Sequence, residues 1–144
     1  MEIEIRSPKT AQEWDDYFDL RYRILRKPLN QAIGSERNDG DETGQHFALY
    51  DNQKLVAIAR LDQSEPKIAQ VRFVAVEHET QGKGYGKMIM EATEKKAKSS
   101  GNEKMILHAR DYAVIFYEKL NYRLIEKSYK LFDVLQHYLM EKEL

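Results

Sequence analysis

Apolar and charged residues alternate over residues 1–6, which predicts a short strand. Ser7-Pro8-Lys9-Thr10 breaks it. Thr10, with Glu13 three residues on, has the spacing of a capping box. Trp14, Tyr17, Phe18, Arg21, Ile24 and Leu25 then recur at helical steps, so an amphipathic helix should end just before Pro28. Residues 29–33 read as a further short helical turn. Residues 34–44 are rich in Gly, Asp, Glu and Asn and read as a loop.

Residues 46–50 and 54–62 form a hairpin pattern across the turn Asp51-Asn52-Gln53. Residues 63–66 turn again. Residues 68–76 are apolar on both faces near Phe73-Val74-Ala75-Val76, the mark of a central strand. Gly82, Gly84 and Gly86 precede a helix with a Tyr85, Met88, Ile89 and Ala92 stripe, and Gly101 marks its exit. Residues 105–109 form a short buried strand. Ala113, Val114, Phe116, Tyr117 and Leu120 share one side of a short helix, and Asn121 suits a left-handed exit. Residues 122–127 and 130–140 read as two closing strands, although 131–139 also fit a helix. The order predicts an α/β or α+β domain on a mixed sheet.

The 144 residues suffice for one domain, expected to span 1–144. The formal net charge of -1 gives no overall field for nucleic acid or an anionic membrane. With no Cys there is no disulfide framework, thiolate metal site or cysteine nucleophile. No His pair has metal-ligand spacing, and no metal is expected. The start MEIEIRS is not a signal peptide and no apolar run is long enough for a membrane span, so a cytoplasmic protein is expected.

The turn Gln81-Gly82-Lys83-Gly84-Tyr85-Gly86-Lys87 joins a central strand to a helix. Glycines allow close backbone approach, and the first helical N–H groups and the helix dipole favour an anion such as a pyrophosphate. The spacing G-x-G-x-G fits neither the dinucleotide fingerprint nor the Walker loop. Taken alone, these glycines could equally serve only a tight turn.

Gln81-x-x-Gly84-x-Gly86, after a Val-Ala-Val strand and before an amphipathic helix, resembles motif A of the GNAT superfamily of N-acetyltransferases. Leu107-His108-Ala109-Arg110, Ala113, Phe116-Tyr117 and Asn121-Tyr122 resemble the family's second strand-helix-strand motif. Ala59-Arg60-Leu61 ahead of Val71–Val76, and the ending His137-Tyr138-Leu139-Met140, look like a small bacterial branch of it. The likeness covers nearly the whole chain. His78 stands where the family often has Pro, Asn121 where it usually has Gly, and Arg110 where many relatives carry a cofactor-binding Asn.

The resemblance implies the GNAT fold, with a mixed, mostly antiparallel sheet and helices on both faces. It implies acetyl transfer from acetyl-CoA to an amine of a small molecule or peptide. Phe73, Val74, Ala75 and Val76 would pair with the pantetheine arm. Gln81, Gly82, Lys83, Gly84, Tyr85, Gly86 and Lys87 would hold the pyrophosphate, with Phe116 nearby. A backbone N–H near Val74 would face the thioester carbonyl. Tyr117 would be the general acid for the departing thiolate, unless it only packs in the core. The base stays open among Glu77, Glu79, His78, His46, His108, His137 and a water relay. Arg60 and Arg72, on neighbouring strands, would bind an acidic or carbonyl group of the acceptor or else stand as edge-strand charges in water. The acidic loop 36–42 would attract a cation or simply be solvated. A non-catalytic CoA-binding module and a purely structural domain are the competing readings. A homodimer is compatible with the sequence.

Overall fold

The alternating segments become seven strands and the helical-period segments three helices in the computed structural model, which describes residues 2–144. Met1, part of the first expected strand, lies outside the described residues. Strand β1 (Ile3–Arg6) leads to helix α1 (Ala11–Leu25). The Thr10 hydroxyl accepts the Glu13 N–H at 3.1 Å. The Glu13 carboxylate accepts the Lys9 N–H at 2.8 Å and pairs with Arg6 at 2.8 Å, so the cap also ties the helix to β1. After α1 a 3-10 turn, Lys27–Leu29, stops at Asn30, whose φ is 58°. The helical turn expected over 29–33 is therefore earlier and shorter.

Strands β2 (Gln45–Asp51), β3 (Lys54–Glu65) and β4 (Ile68–Val76) form an antiparallel meander, with β1 paired outside β2. Strand β3 outlasts the sequence expectation: it stays paired to β4 through Glu65, and Lys67, at φ 66°, makes the reversal instead of residues 63–66. Helix α2 (Tyr85–Ser99), strand β5 (Lys104–Arg110), helix α3 (Val114–Lys119) and the hairpin β6 (Arg123–Leu131) and β7 (Leu135–Glu143) complete the chain. Residues 131–139 are not helical. Phe132 and Asp133 take φ of 53° and 58°, which turns the chain back, and β7 pairs along the full length of β5.

The sheet order is β1-β2-β3-β4-β5-β7-β6, and among the described residues only the β4–β5 contact is parallel. Helix α1 covers one face, where Tyr17, Leu20 and Leu25 pack with Ala48, Ile58 and Ala75. Helices α2 and α3 cover the other, where Ile89, Met90, Ala97 and Tyr117 pack with Leu49, Val71, Leu107 and Met140. Among the described residues, no helix is long and apolar enough to cross a membrane.

The β4–β5 contact positions the site. It consists of Ile68, Ala69 and Gln70 against Lys104, Met105 and Ile106, and then the strands part. Phe73 sits at φ 55° inside β4, and the β3–β4 register shifts there, between Ile58 and Arg60. Such a bulge bends the strand that carries it. The result is a wedge-shaped opening in the middle of the sheet.

Candidate active site

The opening is a cleft of about 1090 Å³. Its walls are β4 from Gln70 to Val76, the end of β5, the glycine turn with the start of α2, Tyr112, Ala113, Phe116 and Tyr117, and Tyr129, Leu131 and His137 of the last hairpin. Beyond Gln70 the β4 edge facing β5 has no ladder partner. Backbone groups there must find water or a ligand.

At one end lies the glycine turn. Gly82 and Gly84 take φ of 86° and 88°, a region L side chains rarely occupy, and a Cβ on either would meet nothing within 4 Å. The space beside them is open. Gly84 caps α2 without any side-chain hydrogen bond, and no acidic residue stands in the first turn. The first intrahelical bond runs from the Met88 N–H to Gly84 O, at 3.1 Å. The N–H groups of Tyr85, Gly86 and Lys87 therefore point out of the helix end, free for an anion.

The expected cofactor residues mostly gather here. Phe73, Val74, Ala75, Val76, Gln81, Gly82, Gly84, Tyr85, Gly86, Lys87 and Phe116 all line the cleft. Lys83 does not; it points into solvent at the tip of the turn. Two side chains in this set also have internal duties. Gln81 Nε2 donates to Val76 O at 3.2 Å, and the Tyr85 phenol donates to the Asp51 carboxylate, pinning α2 to the end of β2.

Tyr117 lines the same cleft from α3 and is 8% exposed. Its ring packs edge-on to Phe116 and Tyr122. Burial pushes its ionisation well above the ordinary phenol value, so it stays a protonated donor.

Arg60 is not at the cleft, and the acceptor role expected for it is corrected. It is 0% exposed. Its Nε and Nη2 donate to the two Asp62 oxygens at 2.8 and 2.7 Å, and its Nη1 to Asn38 Oδ1 and Asp41 Oδ1 at 2.7 and 2.8 Å. Gly40 of the acidic loop lies against it, so close that a Cβ there would sit 2.5 Å from Arg60 Nη2. Arg21, also 0% exposed, shares Asp41 at 2.8 Å. Asp39 and Glu42 of the loop face water as expected, whereas Asp41 folds inward to neutralise two buried arginines. Arg72, opposite Arg60 in the β3–β4 ladder, does reach the cleft.

The possible bases separate sharply. His46 has both nitrogens occupied, by the Tyr17 hydroxyl at 2.8 Å and Asp41 O at 2.8 Å. Glu77 is paired with Arg23 at 3.0 Å, and Glu79 is exposed; neither lines the cleft. His78 lines it from an exposed position beside the glycine turn. His108 and His137 line it deeper. His137 is 4% exposed, stacks on Tyr129 with ring centroids 4.4 Å apart, and has Nδ1 3.1 Å from Leu135 O. A carbonyl can only accept, so the proton sits on Nδ1 and Nε2 keeps its lone pair. His108 Nδ1 is buried without a partner. Burial lowers both rings from the ordinary 6.5, so both are neutral near pH 7.

Arg26 and Tyr129 also line the cleft and had no sequence signal. Arg26 follows α1 in what reads as a helix end. Tyr129 lies in a charged, exposed strand, and only the hairpin's pairing brings it against His137.

A family model described as the acetyltransferase (GNAT) domain matches residues 16–144. The Bacillus subtilis protein YjcF, called an uncharacterized N-acetyltransferase, is 27% identical over 135 residues, covering 94% of this chain and 96% of that one. An aminoglycoside 6'-N-acetyltransferase solved with coenzyme A superposes at a TM-score of 0.82, at 16% identity, covering 99% of this chain and 97% of its own. The Thermoplasma acidophilum PaiA N-acetyltransferase, also solved with coenzyme A, gives 0.78 at 16% identity, covering 100% of each chain.

Proposed function

The chain belongs to the GNAT acetyltransferase family, and from that premise we propose that its cleft binds acetyl-CoA and passes the acetyl group to a primary amine by direct attack on the thioester. The observation that carries this reading is the parting of β4 from β5 after Gln70. It offers an unpaired strand edge to an amide-bearing arm, with an uncapped helix N-terminus at one end and Tyr117 within the same walls.

When bound, acetyl-CoA supplies the activated acyl group. The open N–H groups of Tyr85 to Lys87 hold its pyrophosphate, and the β4 edge from Phe73 to Val76 hydrogen-bonds the pantetheine amides. The Val74 N–H, beside the bulge, donates to the carbonyl oxygen as negative charge develops. Tyr117 donates to the departing sulfur. His137 Nε2 takes the proton of the attacking amine, with Nδ1–H anchored on Leu135 O.

The chain has no Cys, so any thiol that appears comes from CoA. A thiol reagent with acetyl-CoA and a pool of amines therefore reads turnover without background. Amine-dependent thiol release is expected. Tight binding with no release from any amine would instead mark a CoA-binding module.

The base is tested in the same assay. A depressed His137 stays neutral above 6.5, so wild-type kcat/KM should fall only below pH 6.5, in addition to the amine's own limb. His137→Gln should lower kcat/KM by about 10²-fold or more and remove that lower limb. His108→Gln should keep it. A lower limb that survives in His137→Gln places the base elsewhere.

A further inference from the structure

Four guanidinium groups gather around the ring of Phe73. Arg21 lies 4.3 Å from its centroid, Arg60 4.9 Å, Arg72 5.2 Å and Arg26 5.6 Å. Arg21 and Arg60 are neutralised by Asp41 and Asp62. Arg72 and Arg26 are not. Among the described residues the Arg72 guanidinium makes no hydrogen bond to any protein group. Arg26 donates only to the carbonyls of Ser35 and Leu25, at 3.1 and 3.2 Å. Arg110 is similar, with Leu25 O at 2.7 Å and the Tyr112 hydroxyl at 3.2 Å. Carbonyl and hydroxyl partners satisfy geometry but cancel no charge.

All three arginines line the cleft, and among the described residues no Asp or Glu does. The arrangement is costly. Burial lowers the Arg26 pKa, and the Arg110, Arg21 and Arg72 charges lower it further. A bound anion would relieve that repulsion.

The cofactor phosphates are not that anion. Their cradle is the glycine turn and the start of α2. Along β4, Val71, Val74 and Val76 pack toward the α2 side, whereas Phe73 and Ala75 pack with α1. Along β5, Met105, Leu107 and Ala109 pack toward α2, so His108 and Arg110 project from the opposite face. The three arginines thus belong to the α1 side of the cleft. Ile24, Leu25, Pro28, Tyr129 and Leu131 give that side an apolar wall.

We infer that the acceptor is a small amine with an apolar body and one anionic group, a carboxylate or phosphate, bound by Arg72 with Arg26 and Arg110 behind it. The inference rests on the transferase reading above. A planar guanidinium takes either anion in a two-point grip. The same positive field repels polycations and favours the uncharged amine over its ammonium form, which is the form that attacks.

The test compares L-phenylalanine, its carboxamide, the phosphonate with the same skeleton and 1,5-diaminopentane in the thiol-release assay. The two anionic amines should exceed the carboxamide by about 10- to 100-fold in kcat/KM, and the diamine should be the poorest. Arg72→Gln should shrink the anion-to-carboxamide ratio to within about threefold, and Arg72→Lys should retain part of it. The carboxylate and phosphonate arms show which anion is preferred. Equal use of the carboxamide, preference for the diamine, or a ratio unmoved in Arg72→Gln overturns the inference. If no amine is acetylated, the transferase reading has failed, and calorimetric binding of N-acetyl-L-phenylalanine to the CoA-loaded protein decides the anion site. Binding lost in Arg72→Gln supports it; no binding, or binding unmoved in that variant, overturns it.

Discussion

Asp41→Asn is expected to destabilise the fold by about 3–5 kcal/mol, the cost of stripping a buried guanidinium of its partner. One carboxylate oxygen of Asp41 accepts from both Arg21 and Arg60 at 2.8 Å, and the other accepts the Asn38 N–H at 3.0 Å. An amide has only one acceptor oxygen. Its NH2 group must face either two guanidiniums or a backbone N–H, so a donor meets a donor in both orientations. Arg60 would keep Asp62, whereas Arg21 would keep no carboxylate. At this size the loss corresponds to a melting-temperature drop of roughly 6–20 °C. Glu42→Gln, at an exposed position of the same loop, should leave the melting temperature near wild type. A drop of only 1–2 °C in Asp41→Asn would mean the ion network does not hold the loop. The linkage has a definite sign. Burial alone would raise the Asp41 pKa, but the hydrogen bonds from Arg21 and Arg60 outweigh it and hold it below the ordinary 3.8. Its stabilisation is therefore present above that value and lost as pH falls through the folded one.

Tyr117→Phe is expected to lower kcat by about 10²-fold or more, an effect on turnover as large as that of His137→Gln. No protein group hydrogen-bonds the Tyr117 hydroxyl among the described residues, so its removal should change stability by less than about 0.5 kcal/mol. The ring would still pack on Phe116 and Tyr122. A phenol held protonated by burial is a weaker acid than a thiol, so its contribution is chiefly a charge-assisted hydrogen bond that strengthens as the sulfur takes up charge. Acetyl-CoA affinity should change little, because that bond is weak in the ground state. Wild-type kcat with normal melting in Tyr117→Phe would reduce this residue to a packing role.

What was legible in the sequence is what local geometry dictates. Gly82 and Gly84 need left-handed backbone, Asn121 tolerates it at φ 74°, and Thr10 caps α1 as its spacing says. The residues proposed for the cofactor follow one another along the chain, so a linear motif captures nearly all of them. The proposed acceptor side is assembled from α1, β4, β5 and the last hairpin, and no linear pattern contains it. Arg60 and Arg72 face each other in one ladder, yet one is sealed and the other open. The difference arises from a loop some twenty positions upstream folding over Arg60. Asp41 of that loop reads as surface charge in the sequence because its partners, Arg21 and Arg60, are distant along the chain. The bulge at Phe73 had no signal either, since a Phe carries no preference for positive φ. Residues 131–139 suited both periods, and only pairing with β5 decides for the strand.

The most direct test of the central claim, that this cleft is an acyl-CoA site built on the glycine turn, is a calorimetric titration of acetyl-CoA into wild type and Gly84→Val. A Cβ at Gly84 enters the open space beside the turn, and the left-handed backbone there costs about 1–2 kcal/mol of stability, which leaves the protein folded. The expected result is saturable one-to-one binding by wild type and at least tenfold weaker binding by a variant that still melts cooperatively. Absence of binding by wild type, or equal affinity in Gly84→Val, would contradict it.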